Sequence, residues 1–234
     1  MQLHVLSAGA AQGLVTGLAV AFRAETGLEV AATFGAVGAM KERLLAGAPA
    51  DLVVLSQAMA LDLQRTGHLA ESSDIDIGAV HTGLAIRAAD PVPPLHDAAA
   101  VRDALRHADA IYVPDPATAT AGIHLTRVMR QLGVAAELAP RIRPFPNGNA
   151  AMAALAAHAG GPAIGCTQVT EIIATPGVTL AALLPHELEL ATVYTASVTR
   201  RATHPDAARR LAEMLAGDAA EALRERLGFA PAHH

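Results

Sequence analysis

The feature that most constrains this chain is the regular alternation of short apolar runs with helical periods. Leu3 to Ser7 reads as a buried strand, and the small-residue turn Ala8-Gly9-Ala10-Ala11 follows at once. Leu14, Val15, Leu18, Ala19 and Phe22 then recur at helical spacing, and Gly27 stands where a C-cap glycine belongs. The unit repeats: a strand over 29–34, a helix around 40–46 closed by Gly47, a strand over 51–55, and a helix near 59–66 closed by Gly67. A helix between two strands carries the chain back to the end it left, so such strands lie parallel. The expectation is an α/β fold with mostly parallel sheets.

The alternation falters over 71–76, which is polar and weakly periodic. It resumes with a strand over 82–87, the rigid connector Asp90-Pro91-Val92-Pro93-Pro94, a helix over 98–107 and a strand over 110–113. Leu125, Val128, Met129 and Leu132 mark the next helix, capped by Gly133. Strands over 141–145 and 163–166, helices over 150–159 and 168–174, and a β-rich run over 192–199 follow. Two helices near 205–216 and 218–227 finish the chain, before His233-His234 as tag or tail. The break and the late β run divide the chain into two lobes, 1–80 with 200–234 and 81–199, with crossings near 78–82 and 195–199. A single doubly wound sheet is the alternative that periodicity leaves open.

Composition narrows the partners. Hydrophobic residues make up 52% and charged ones 17%, which supports a sizeable core. Aromatics are only 3%, so stacking platforms for bases are scarce. A net charge of −5 argues against nucleic acid or anionic membrane as partner. It does not exclude an anionic ligand, because backbone N–H groups at helix starts hold anions without net positive charge. No apolar run is long enough for membrane insertion. Cys166, the single cysteine, cannot form an internal disulfide, and the opening residues read as a strand rather than a signal peptide. The expected location is cytoplasmic, or periplasmic if a signal peptide has been removed.

Four segments share one design of strand, small-residue turn and helix start: Ser7 to Ala10, Gly35 to Gly38, Ser56 to Ala58, and Asp115 to Gly122. Small residues let a ligand approach the backbone, and ligands of open parallel sheets sit beyond the carboxyl ends of strands. Ser7, Gly9, Ala10, Val37, Gly38, Ser56, Thr120 and Ala121 are therefore candidate contacts for a small anion.

The order of Val5-Leu6-Ser7-Ala8-Gly9-Ala10, Ala46-Gly47-Ala48-Pro49-Ala50-Asp51-Leu52, Asp115-Pro116 with Ala121-Gly122, and Gly228-Phe229 resembles bacterial molybdate-binding proteins. These are solute-binding components of ABC importers. The resemblance implies a two-lobed type II periplasmic-binding-protein fold, a ligand in the cleft between the lobes, and an ABC permease as partner if the chain is exported. The family's molybdate ligands do not carry over. Ala10 and Val37 stand where two serines bind the oxyanion, and Thr167 or Gln168 stands where a tyrosine does. Gly35 to Lys41, Thr120 to His124, Pro146 to Asn149 and Gly165 to Ile172 are instead similar to a divergent subgroup that includes aconitate isomerase. That enzyme interconverts cis- and trans-aconitate on the same fold.

Several side chains then have two readings each. Lys41, the only lysine, reaches toward a ligand carboxylate or is an exposed first-turn cation. His124 is a base beside a helix start or an ordinary helix histidine. Glu171 is a general base raised by burial or part of a helix cap with Thr167 or Gln168. Asn147 and Asn149 donate amides to a carboxylate or form the turn and N-cap. Cys166 has no local base and reads as a buried thiol. No His-x-His or His-Glu-x-x-His pattern occurs, and no metal or cofactor is expected. Three functions remain: a binder of a small di- or tricarboxylate, an isomerase shifting a C=C bond with Glu171 or His124 as base, and a ligand-sensing lobe.

Overall fold

The computed structural model describes residues 1–232, and the His233-His234 pair lies outside them. In chain order the elements are β1 (Gln2–Ala8), α1 (Gln12–Thr26), β2 (Glu29–Gly35), α2 (Val37–Leu45), β3 (Leu52–Ser56), α3 (Gln57–Arg65) and β4 (Ile75–Arg87). Next come α4 (Ala98–His107), β5 (Ala110–Pro114), α5 (Thr120–Gln131), α6 (Ala135–Leu138), β6 (Ile142–Phe145), α7 (Gly148–Ala156), β7 (Ala163–Gln168), α8 (Val169–Ile173) and β8 (Val178–Leu183). The chain closes with β9 (Ala191–Val198), α9 (Pro205–Ala216) and α10 (Glu221–Leu227). No helix among the described residues is long and apolar enough to cross a membrane.

Contacts divide the chain into two units. Unit 1 holds Met1–Val80 and the chain from Thr192 onward, and unit 2 holds His81–Ala191. In unit 1, β1 lies between β2 and β3, parallel to both, with Ser7 opposite Phe34 on one side and Val54 on the other. This register brings the turns after β1, β2 and β3 to one edge of the sheet. Strand β9 completes the sheet antiparallel to β3, from Leu52 opposite Val198 to Ser56 opposite Tyr194. That pairing is why residues 192–198 belong to unit 1; the sequence reading put the return near 195–199 and gave 81–199 to the second lobe. Leu3, Leu14, Val15, Phe22 and Leu52 to Leu55 form a core without solvent exposure. Helix α9 buries Ala208, Leu211, Ala212 and Leu215. Gly13 and Gly17 let α1 approach α10, because a Cβ at either would stand 3.0 Å from Leu227 or Leu223.

One buried carboxylate fastens unit 1. Asp51 accepts the N–H of His4 at 2.8 Å, and the N–H groups of Thr203 and His204 at 2.6 and 3.0 Å. The Thr203 hydroxyl donates to it as well, at 2.8 Å. Burial pushes this carboxyl up, but the four donors together hold it below the ordinary value.

In unit 2, β5 lies between β6 and β7 and runs parallel to both. The turns after these three strands consequently share an edge. Strand β4 pairs antiparallel with β7 and with β8. The core gathers Leu84, Val101, Leu105, Ile111, Leu125, Val128 and Cys166 from β4, α4, β5, α5 and β7. Strand β4 begins at Ile75, inside the segment the sequence presents as a polar break. Strand β8 was not anticipated, because Val178 to Leu183 lacks an alternation of apolar and polar residues.

Candidate functional site

In unit 1 three helix starts meet at the carboxyl edge of the sheet. Strand β1 runs into a single 3-10 turn over Gly9–Ala11 and then into α1. Ala36 precedes α2 and Ser56 precedes α3, both extended, at φ −62°, ψ 144° and φ −63°, ψ 144°. In none of the three does the side chain of the preceding residue cap the helix. By contrast α4 is capped by Asp97, which accepts from the N–H of Ala100 at 2.8 Å. An uncapped start offers its N–H groups to an incoming acceptor. Ser7 is fully buried, and its hydroxyl donates to the Ala8 carbonyl. Ala10 and Val37 are buried beside these starts and supply no hydroxyl.

Lys41 is half-buried on α2 and paired within the chain. Its Nζ lies 2.7 Å from Asp62, which also accepts from Arg65 at 3.0 Å. The Lys41 ammonium and Arg65 hold the Asp62 carboxyl below its ordinary value. Sequence reasoning overlooked a polar group beside α3. The Gln57 amide donates to Asp76 at 2.9 Å and the Thr195 hydroxyl to the other oxygen of Asp76 at 2.5 Å. They line a cavity of about 480 Å³ with Asp74. Asp74 and Asp76 sit in the segment read as a break, where nothing in the local pattern marks them.

In unit 2 the start of α5 is also uncapped, with Ala119 before it, Thr120 half-buried and Ala121 buried. Gly122 lies against the carbonyls of Pro114 and Asp115, each 2.4 Å from where a Cβ would be. Only glycine permits that approach. His124 is turned to a structural partner, its Nε2 lying 2.7 Å from the Leu188 carbonyl.

The turns after β6 and β7 converge. Asn147 caps α7 by accepting from the N–H of Ala150 at 2.9 Å. Glu171, on α8, is buried, and its carboxyl accepts from the Thr167 hydroxyl and from the N–H groups of Gln168, Gly148 and Asn149. Burial pushes this carboxyl up to about 7, against the pull of those four donors. Asn149, Thr167, Gln168 and Glu171, separate candidates in the sequence, thus form one cluster, and Gly148 joins them unanticipated. Its only signal was its place between two asparagines. Cys166, one strand residue earlier, is fully buried, and burial pushes its thiol up to about 12.

These turns and sheets define a class. The chain has the type II periplasmic-binding-protein fold, and it aligns with the periplasmic molybdate-binding protein of Azotobacter vinelandii at a TM-score of 0.82 and 20% identity, covering 99% of this chain and 100% of that one. The sulfate-binding protein SubI of Mycobacterium tuberculosis H37Rv aligns at a TM-score of 0.78 and 20% identity, over 99% and 87% of the two chains. The family model described as bacterial extracellular solute-binding protein matches residues 3–230, and the chain belongs to that family. It is also 31% identical to an aconitate isomerase from Pseudomonas sp., over 95% of this chain and 86% of that protein.

Proposed function

We propose that this chain binds a small di- or tricarboxylate. The observation that carries this reading is the set of uncapped helix starts beyond β1, β2 and β3, with Ala10 and Val37 supplying no hydroxyl beside them. Backbone donors at single edges suit the separated charges of a polycarboxylate. A bare tetrahedral oxyanion needs dense donors on all sides, since an unpaired buried charge is costly. Two hydroxyls lost from a charged acceptor cost roughly 1.5–3 kcal/mol each, together a factor of over about a hundred in affinity. The test is a thermal-shift screen of oxyanions and small carboxylates, followed by calorimetry. A carboxylate is expected to stabilise the protein, and sub-micromolar molybdate binding would sink the reading. For an exported chain, the matching partner is the permease of an ABC importer.

A second reading is favoured by Glu171 and by the 31% identity to an aconitate isomerase. A carboxyl raised to about 7 is matched to proton abstraction near neutral pH. Glu171 then removes a proton beside a substrate carboxylate, and backbone donors hold the charge that develops. His124 is the alternative base and would act through Nδ1, since its Nε2 faces the Leu188 carbonyl. Purified protein is expected to interconvert cis- and trans-aconitate, followed by chromatography. Binding without conversion leaves the carboxylate reading and removes the enzyme.

A further inference from the structure

The Glu171 carboxyl lies where α7 begins and takes the N–H groups of its first two residues, Gly148 and Asn149. A helix start with open N–H groups attracts an anion, and here the chain supplies one itself. The fit is close. A Cβ at Gly148 would stand 1.9 Å from Glu171 Oε2 and 2.1 Å from Thr167 Oγ1, so the glycine is required by the carboxylate and not by its backbone angles. Asn147 separately holds the N–H of Ala150, leaving the first two N–H groups to Glu171. The four donors come from two segments, the end of β7 and the start of α7, which makes this a built cradle and not one exposed helix end.

We infer that Glu171 is an internal carboxylate filling an anion cradle at the start of α7, and that it sets the charge of what unit 2 accepts. A ligand group facing this cluster is neutral or donates a hydrogen bond, as a hydroxyl or a protonated carboxyl does. A bare dianion such as sulfate is refused twice, because the donors are occupied and the occupant repels it. This rests on the carboxylate reading above and narrows it to ligands that carry a donor group, such as hydroxy acids.

Glu171→Ala in the full chain empties the cradle and leaves all four donors in place. Formate is the probe, read by thermal shift. The midpoint of Glu171→Ala is expected to rise saturably, by about 5 °C at a hundredfold excess over the dissociation constant. Wild type, whose cradle is filled, is expected not to respond. An equal shift in both proteins, or none in Glu171→Ala, overturns the inference. Should that variant fail to fold, Glu171→Gln keeps the shape and removes the charge. At about pH 8.5, where Glu171 is ionised, its sulfate dissociation constant is expected to fall by about tenfold or more relative to wild type. An unchanged constant overturns the inference equally. Wild type that binds no carboxylate would strike the earlier reading, while formate rescue would still stand for the cradle.

Discussion

Unit 1 and unit 2 each bury one carboxylate under four hydrogen-bond donors, and the two carboxylates behave in opposite ways. Asp51 is held below its ordinary value, whereas Glu171 is pushed up to about 7. Donor count does not explain this. The residues that serve Asp51 are reachable by water: Thr203 is exposed, and His4 and His204 are half-buried. Of those serving Glu171, Gly148, Thr167 and Gln168 are buried. The cost of desolvation, not the number of bonds, separates a structural anchor from a group poised to change charge.

The largest effect expected from this contrast is on Asp51. Asp51→Ala leaves three N–H groups and a hydroxyl without their acceptor, and is expected to cost about 4 kcal/mol in denaturant unfolding. A loss below about 1 kcal/mol would mean that water replaces the carboxylate freely. The next effect is a pH dependence of opposite sign in the two units. The folded value of Glu171 lies above the ordinary carboxyl value of 4.5, so its contribution to stability is fully present below about 4.5 and is lost as pH rises through about 7. Between those limits wild type is expected to lose about 3 kcal/mol relative to Glu171→Gln. The folded value of Asp51 is lowered, so its contribution is present above the ordinary value of 3.8 and is lost as pH falls through the folded value. Parallel pH profiles for wild type and Glu171→Gln would remove the contrast.

A smaller effect sharpens the picture of the cradle. Gly148→Ala forces a methyl toward the Glu171 carboxylate, and overpacking of this kind costs about 1–3 kcal/mol. Pairing it with Glu171→Gly removes the carboxylate part of the clash and leaves the Thr167 hydroxyl, so partial recovery is expected, and simple additivity would show that Gly148 and Glu171 do not touch. Least of all is expected from Lys41→Met. Its ammonium is engaged by Asp62, so carboxylate affinity is expected to change by less than about threefold in calorimetry. A larger loss would return Lys41 to the ligand.

The fold was legible because the alternation of strands and helices is written in local residues. Gly27, Gly67 and Gly133 all adopt the left-handed angles that end a helix, and the helix over 98–107 falls where its period placed it. What escaped depends on partners far away in the chain. Asp51 was read as the start of a strand, yet Thr203 and His204 decide its role from some 150 positions on. Asp76 was read as part of a break, and Thr195 is what engages it. The candidate site was legible in pieces. Thr167, Gln168, Asn149 and Glu171 were singled out one by one, but only the parallel pairing of β5 with β6 and β7 brings their turns to one edge. Lys41 and His124 show the converse, since nothing near them in sequence names Asp62 or the Leu188 carbonyl as the group that occupies them.

Cys166 carries a practical consequence. It is the single cysteine of the chain, without solvent exposure, and its thiol is pushed up to about 12. At neutral pH only about one molecule in 10⁵ carries the nucleophilic thiolate, and reagent cannot reach it in the folded chain. A cysteine introduced anywhere on the surface can therefore be labelled with a fluorophore without first removing the native one. Left unlabelled, Cys166 becomes an internal clock, since its alkylation proceeds only as often as the β7 strand opens to solvent.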